Sequence, residues 1–231
     1  MKEMYFSVDV ECDGIVPSKN SMLSIGAVAI NGMGDPVDEF YITLKELVNT
    51  YPDPVTEKFW KSFPEAYKKT RDFACDPYLA MVSFETWVKS KKAEKNVFVA
   101  YPAAFDFGFV NYYFLTLLGR NPFGFNVLDI RSFAMGITGN SFTDSAINKL
   151  PMEWQSDLPH THVAIDDAKE QGQVFSALLK ASKEANRLKR AVFHELEEIV
   201  DSGGVKNVQN TAALATKLRN WPGNRFQNRK T

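Results

Sequence analysis

From Tyr5 to Glu11 the apolar residues Phe6, Val8 and Val10 alternate with Tyr5, Ser7, Asp9 and Glu11. This is the period of a β-strand, whose successive side chains take opposite faces, so a strand over 5–11 carries two carboxylates on one face. Leu23, Ile25, Ala27, Val28 and Ile30 form a denser apolar run that predicts a second, more buried strand over 22–30. The Asn, Gly, Asp and Pro of 31–36 read as a turn, and 39–44 as a third strand. Three strands joined by short links make an antiparallel meander.

The pattern then changes period. Pro52 and Pro54 break the chain before a helix over about 56–63, and Pro64 opens another. Asp76-Pro77 pairs an N-cap with a proline at the first helical position, and Leu79, Val82, Trp87 and Val88 carry helical spacing to Lys91. Val97 to Ala100 is a short apolar strand, followed by a helix from Asp106 through Phe109, Val110, Tyr113, Phe114, Leu117 and Leu118 that stops at Gly119. Residues 127–130 predict a last strand, with short helices at 131–135 and 144–150 on either side of a loop. A helix follows His162 to about Leu179, and a separate charged helix runs over 183–200. Antiparallel strands followed by strands alternating with helices predict an α/β fold, a five-stranded mixed sheet flanked by helices on both faces.

Composition narrows the reading. With 231 residues, 45% of them hydrophobic, the chain can bury a substantial core. No apolar run of membrane-spanning length and no signal-peptide pattern occurs, so the expectation is a cytoplasmic protein with no membrane partner. Cys12 and Cys75 lack any disulfide or zinc spacing and read as plain thiols. A formal net charge of −1 excludes a protein that coats long nucleic acid, but not an enzyme gripping a few nucleotides. Charge is uneven: from Gly203 to Thr231 there are six basic residues and no acid, so 1–202 reads as the main domain and 203–231 as a basic extension.

The chemistry lies in the acids. Asp9 and Glu11 leave a strand, Asp106 opens a helix after a strand, and Asp167 stands in the first turns of a later helix with His162 five residues before it. Such positions gather over one edge of a layered α/β fold. An Asp-x-Glu alone is more often a strand end running into solvent. Carboxylates brought together, however, repel unless a cation sits between them or one stays protonated, and a divalent metal is the economical solution.

In order, Asp9-Val10-Glu11, Ala104-Phe105-Asp106 and His162-Val163-Ala164-Ile165-Asp166-Asp167-Ala168 resemble the three exonuclease motifs of the DEDDh branch of the DnaQ-like, ribonuclease H-fold 3′→5′ exonucleases, over roughly residues 5–179. The resemblance implies a ribonuclease H-like sheet. It also implies that Asp9, Glu11, Asp106 and Asp167 hold two divalent cations, Mg²⁺ or Mn²⁺, and that His162 is the general base. Two cations about 4 Å apart stabilise both the attacking and the leaving oxygen. The motif spacing selects Asp167 over Asp166 and His162 over His160. Asp13 and Asp129 read as structural or supporting acids, and His194 as a solvated helix residue.

Two departures stand out: Cys12-Asp13-Gly14 replaces the Thr-Thr-Gly of many members, and Tyr101-Pro102 replaces a His-Asn. By the same resemblance Cys12, Asp13 and Gly14 meet the terminal sugar, while Met22, Leu23 and Phe105 stack or wedge against the terminal base. Phe59-Trp60 and the Pro64-Glu65-Ala66 that follows are similar to a stretch in ribonuclease AS-type exoribonucleases. The expected function is metal-dependent release of 5′-mononucleotides from single-stranded 3′ ends, RNA slightly favoured through a 2′-hydroxyl contact at the turn after Glu11. A proofreading-type DNA exonuclease and an inactive nucleic-acid-binding module on the same fold are the alternatives. A homodimer is compatible with the sequence.

Overall fold

A computed structural model of the chain describes residues 2–201 and 208–220. Contacts divide it into two units, the first comprising Met1–Ile130 and Ser156–Ser176. In that unit β1 (Glu3–Cys12), β2 (Met22–Asn31) and β3 (Pro36–Thr43) form the antiparallel meander, while β4 (Lys95–Ala100) and β5 (Val127–Asp129) add in parallel on the other side of β1. The order β3-β2-β1-β4-β5 puts β1 at the centre of a five-stranded mixed sheet.

The helices α1 (Pro54–Ser62), α2 (Pro64–Arg71), α3 (Pro77–Ser90) and α4 (Ala103–Tyr113) begin where the sequence signals place them. Asp53 caps α1 by accepting from Val55 and Thr56 N–H, and Asp76 caps α3 through Tyr78 and Leu79 N–H. One turn of π-helix, Phe114–Leu118, extends α4 and ends at Gly119, whose φ of 67° is the left-handed stop that glycine supplies. Phe6, Val8 and Val10 enter a core with Phe84 and Val88 of α3 and Phe109, Val110 and Tyr113 of α4.

The other face of β1 carries the start of α6 (Ala164–Asp201), held unusually close. Ser7 Oγ donates to Ala168 O at 2.9 Å, Gln171 Nε2 donates to Val8 O at 2.8 Å, and the Tyr5 ring lies 5.1 Å from that of Phe175. Gly26 on β2, paired with Asp9, makes this approach feasible: a Cβ there would sit 2.1 Å from the carbonyl carbon of Ala164.

Three expectations are corrected. The two helices expected after His162 are one continuous α6, because Lys180-Ala181-Ser182 contains no glycine or proline to stop it. The helix expected over 131–135 is α5, Ile130–Thr138, which runs through Gly136. The helix expected over 144–150 is two 3₁₀ turns, Thr143–Ser145 and Ile147–Lys149.

The second unit comprises Arg131–Gln155 and Ala177–Thr231. Within it Arg131 Nε donates to Phe142 O at 2.7 Å, and its guanidinium lies 4.1 Å over the Phe142 ring. The α7 helix, Val208–Arg219, carries Lys217 and Arg219 of the basic run. Lys206, Arg225, Arg229 and Lys230, and the expected boundary after residue 202, lie outside the described residues. Among the described residues no helix is long and apolar enough to cross a membrane.

Gly26→Ala tests the close approach of α6. The added carbon meets backbone that cannot rotate away, so the cost should reach or exceed the about 1–3 kcal/mol usual for overpacking, lowering Tm by about 4–12 °C. Gly32→Ala, whose Cβ would meet nothing closer than 3.9 Å, is the control. Equal melting of Gly26→Ala and wild type would show that α6 does not depend on this contact.

Candidate active site

The sheet and two helix starts deliver four acids to one place. Asp9 and Glu11 project from β1 on its α6 face, and Asp167 stands in the first turn of α6 directly above them. Asp9, Glu11 and Asp167 each bring a carboxylate oxygen within 4.8 Å of the others. Asp106, in the first turn of α4, joins through the backbone. The parallel ladder of β1 with β4 ends at Ser7–Val99, leaving Val10 N–H beyond it, and Asp106 Oδ1 accepts that N–H at 3.1 Å.

The segment before α6 doubles back onto Asp167, whose two oxygens accept Thr161 N–H at 2.8 Å and His162 N–H at 2.9 Å. This holds His162 at a φ of 58°, a left-handed conformation that costs a non-glycine residue of order 1–3 kcal/mol and recurs at functional sites. The imidazole meets the rings of Phe63 and Phe59 edge-on, with centroids 4.2 and 5.0 Å away. Behind this pair Trp60 packs with Val163 and donates from Nε1 to Cys12 O at 2.9 Å, tying α1 both to the histidine segment and to the end of β1. His160 is exposed, its Nδ1 2.8 Å from Glu170 Oε2 and 3.5 Å from Asp167 Oδ2.

Burial and mutual repulsion set the electrostatics. Glu11 is pushed up to about 8, first by desolvation and then by Asp167 and Asp106. Burial pushes Asp106 up to about 7 against the hydrogen bond from Val10. Asp9, part-exposed at the cleft but packed round by protein, is raised well above the usual carboxylate range by desolvation, then by Asp106 and Glu11. His162 is lowered by desolvation and by His160, which favours its neutral form. Among the described residues no lysine or arginine pairs with any of the four acids. An oxygen-only donor set with uncompensated charge fits hard divalent cations.

The remaining expected residues fall elsewhere. Met22 and Leu23 are buried in the sheet and reach no cleft, because Met22 N–H is engaged by Tyr113 Oη at 2.7 Å and both side chains are enclosed. Phe105 is half-buried against Phe109. Cys12 faces the core. Asp13 is buried, its Oδ1 accepting Ser21 N–H at 2.5 Å, and Gly14 abuts Asn20 so closely that a Cβ would sit 2.2 Å from Asn20 Cγ. The exposed apolar residue at this turn is the next one, Ile15, at 71%. Ile15, Phe59 and Phe63 are candidate substrate-facing residues that the sequence reading missed; for Phe59 and Phe63 the signal was present as aromatics four apart. Asp129 Oδ2 accepts Ala103 N–H at 3.2 Å at the start of α4, Asp166 accepts from Thr161 Oγ1 at 3.2 Å, and His194 is exposed near Glu198.

Comparison with known proteins agrees with this fold. The family described as Exonuclease (RNase_T) matches residues 6–175. The 3′-5′ DNA exonuclease Cap18 of Escherichia coli is 36% identical over 188 residues, 79% of this chain and 95% of its own. The nuclease domain of 3′hExo, a DEDDh family member solved bound to rAMP, has the same fold with a TM-score of 0.59 at 16% identity, over 77% of this chain and 91% of that one. Escherichia coli Exonuclease I, solved with a dT13 oligonucleotide, gives 0.59 at 12% identity over 83% of this chain but only 44% of its own.

The raised carboxylates make stability depend on pH. Glu11 and Asp106 hold protons in the metal-free folded state up to about 8 and about 7, whereas the unfolded chain releases them near the ordinary carboxylate range. The folded state therefore binds more protons across that window, and stability is full below it and lost as pH rises through it. Metal-free protein should melt several degrees higher at about pH 5 than at about pH 8.5, with about 1 kcal/mol moving Tm by about 2–4 °C. Asp9→Asn should flatten this dependence, and Mg²⁺ should raise Tm more at the higher pH. A metal-free Tm that climbs from pH 5 to 8.5 would refute the clash.

Proposed function

This chain belongs to the Exonuclease (RNase_T) family and is a 3′→5′ exonuclease, and from that premise we propose that it releases 5′-mononucleotides from single-stranded DNA 3′ ends. The observation that carries the reading is the convergence of Asp9, Glu11, Asp106 and Asp167 without a cationic side chain, beside a histidine held at the cleft edge. Asp9, Glu11, Asp106 and Asp167 would hold two divalent cations, Mg²⁺ or Mn²⁺, which would supply an activated water and charge stabilisation on the phosphate. Asp167 does double duty, one carboxylate serving the cluster while fixing the backbone of Thr161 and His162. His162, kept neutral by desolvation, takes the proton of the attacking water at a ring nitrogen. Phe59 and Phe63 limit where that ring can go, and their exposed faces with Ile15 offer stacking surface to a terminal base.

DNA rather than RNA is proposed for two reasons. The relative that is 36% identical is a DNA exonuclease. The acceptors of the turn expected to read a 2′-hydroxyl are also drawn inward: Cys12 O takes Trp60 Nε1–H, Asp13 O takes Asp53 N–H at 2.7 Å, and the buried Asp13 carboxylate takes Ser21 N–H at Oδ1. A site that must tell the two sugars apart needs an open partner for that hydroxyl. The slight RNA preference expected from the sequence is therefore not carried into this proposal.

Matched end-labelled DNA and RNA oligomers with Mg²⁺ or Mn²⁺ test the reading. DNA should be cut faster from its 3′ end with release of 5′-mononucleotides. Asp106→Asn should abolish cutting, and His162→Ala should slow it about 10²- to 10⁴-fold, the usual loss for a general base. Faster cutting of RNA would overturn the DNA assignment, and near-normal turnover of Asp106→Asn would overturn the metal cluster.

A further inference from the structure

We propose that His160, His162 and Asp167 form a second cation site, one that prefers borderline ions such as Zn²⁺ and shuts the nuclease down when filled. The inference rests on the assignment of His162 and Asp167 to the exonuclease reaction. Its basis is a donor set distinct from the oxygen-only cluster: one ring nitrogen of each histidine and one carboxylate oxygen of Asp167 lie within 4.8 Å of one another. Two imidazoles and a carboxylate suit Zn²⁺, whereas Mg²⁺ and Mn²⁺ prefer oxygen and gain little from imidazole. In a tetrahedral zinc site with bonds of about 2.0–2.1 Å the ligand atoms lie about 3.3 Å apart, so the cluster must close by up to about 1.5 Å.

That closure is available because the three residues differ in freedom. Asp167 is 3% exposed and locked by two backbone amides, and His162 is braced by Phe59 and Phe63. His160, with its side chain 57% exposed and its ring 4.7 Å from that of His162, can swing onto the ion. Glu170 lies 2.8 Å from His160 Nδ1, and its charge adds to the negative potential at the site.

Asp167 thus belongs to two donor sets, Asp9–Glu11–Asp167 for hard ions and His160–His162–Asp167 for borderline ones. A zinc ion in the second set occupies the ring nitrogen with which His162 would accept a proton. Inhibition follows without the ion entering the oxygen cluster.

The test measures binding and activity separately. Wild type, His160→Gln and Asp9→Asn are titrated with Zn²⁺ by calorimetry and with Co²⁺ by visible absorption, whose intensity reports a four-coordinate site with nitrogen ligands. In parallel, Zn²⁺ is titrated into Mg²⁺-supported cleavage of a DNA oligomer. Wild type and Asp9→Asn should bind Zn²⁺ alike, and His160→Gln about 10- to 100-fold or more weakly. His160→Gln should keep its Mg²⁺-supported rate while its half-inhibitory Zn²⁺ concentration rises by the same factor. Equal Zn²⁺ affinity in wild type and His160→Gln would overturn the site. So would loss of Zn²⁺ binding in Asp9→Asn, which would put the ion in the oxygen cluster. If wild type fails to cut with Mg²⁺ while Zn²⁺ binding still follows His160, the site stands and the exonuclease reading falls.

Discussion

Carboxylates crowded into a poorly solvated corner, with no lysine or arginine paired to them among the described residues, are the constraint around which this structure is arranged. Such a corner is costly in isolation, since each added charge raises the pKa of the next. The fold meets that cost with backbone. Asp106 is held by Val10 N–H and Asp167 by two consecutive amides, so each acid is fixed by a donor that carries no net charge and cannot neutralise the site. Among the described residues no lysine or arginine offsets the cluster, so its charge is left uncompensated by the protein.

Geometry at that corner depends on residues that carry no chemistry. Asp9 lies opposite Gly26, and only a missing side chain there lets the first turn of α6 settle over β1 with Asp167 in reach. Ser7 and Gln171 then lock α6 to β1 through backbone carbonyls on both sides. A second support comes from α1, whose Trp60 is bonded to the end of β1 and packed under the histidine segment, so one side chain relates both halves of the site.

What the sequence could reveal divides along the same line. Asp9 and Glu11 could be placed on one face because strand period is local, whereas Asp106, His162 and Asp167 were singled out by the resemblance of their segments to the exonuclease motifs. The mixed sheet followed from the change of period alone. The role of Gly26 was illegible, since its meaning lies in the backbone of Ala164, far along the chain. Met22 and Leu23 were misplaced at the cleft for a related reason. Apolar residues at the start of a strand look alike whether they face a ligand or a core, and only the packing of Tyr113 and its neighbours distinguishes them. The continuous α6 shows the opposite error, a stop inferred from a change in amphipathic character where no residue breaks the helix.

Asp167 shows how one residue links binding, positioning and sensitivity to the wrong ion. Its carboxylate faces Asp9 and Glu11 on one side and two imidazoles on the other, while its hydrogen bonds keep His162 in a strained backbone conformation. Strain of that kind persists only where the surroundings over-determine it, and here the surroundings are Asp167 itself and the rings of Phe59 and Phe63. The histidine is therefore presented to the cleft by the acid it works beside. The same carboxylate thus borders an oxygen-only donor set and a nitrogen-bearing one, with the exposed His160 at the edge of the latter. Selectivity for hard cations in this site rests on which ions reach it as much as on the acids themselves.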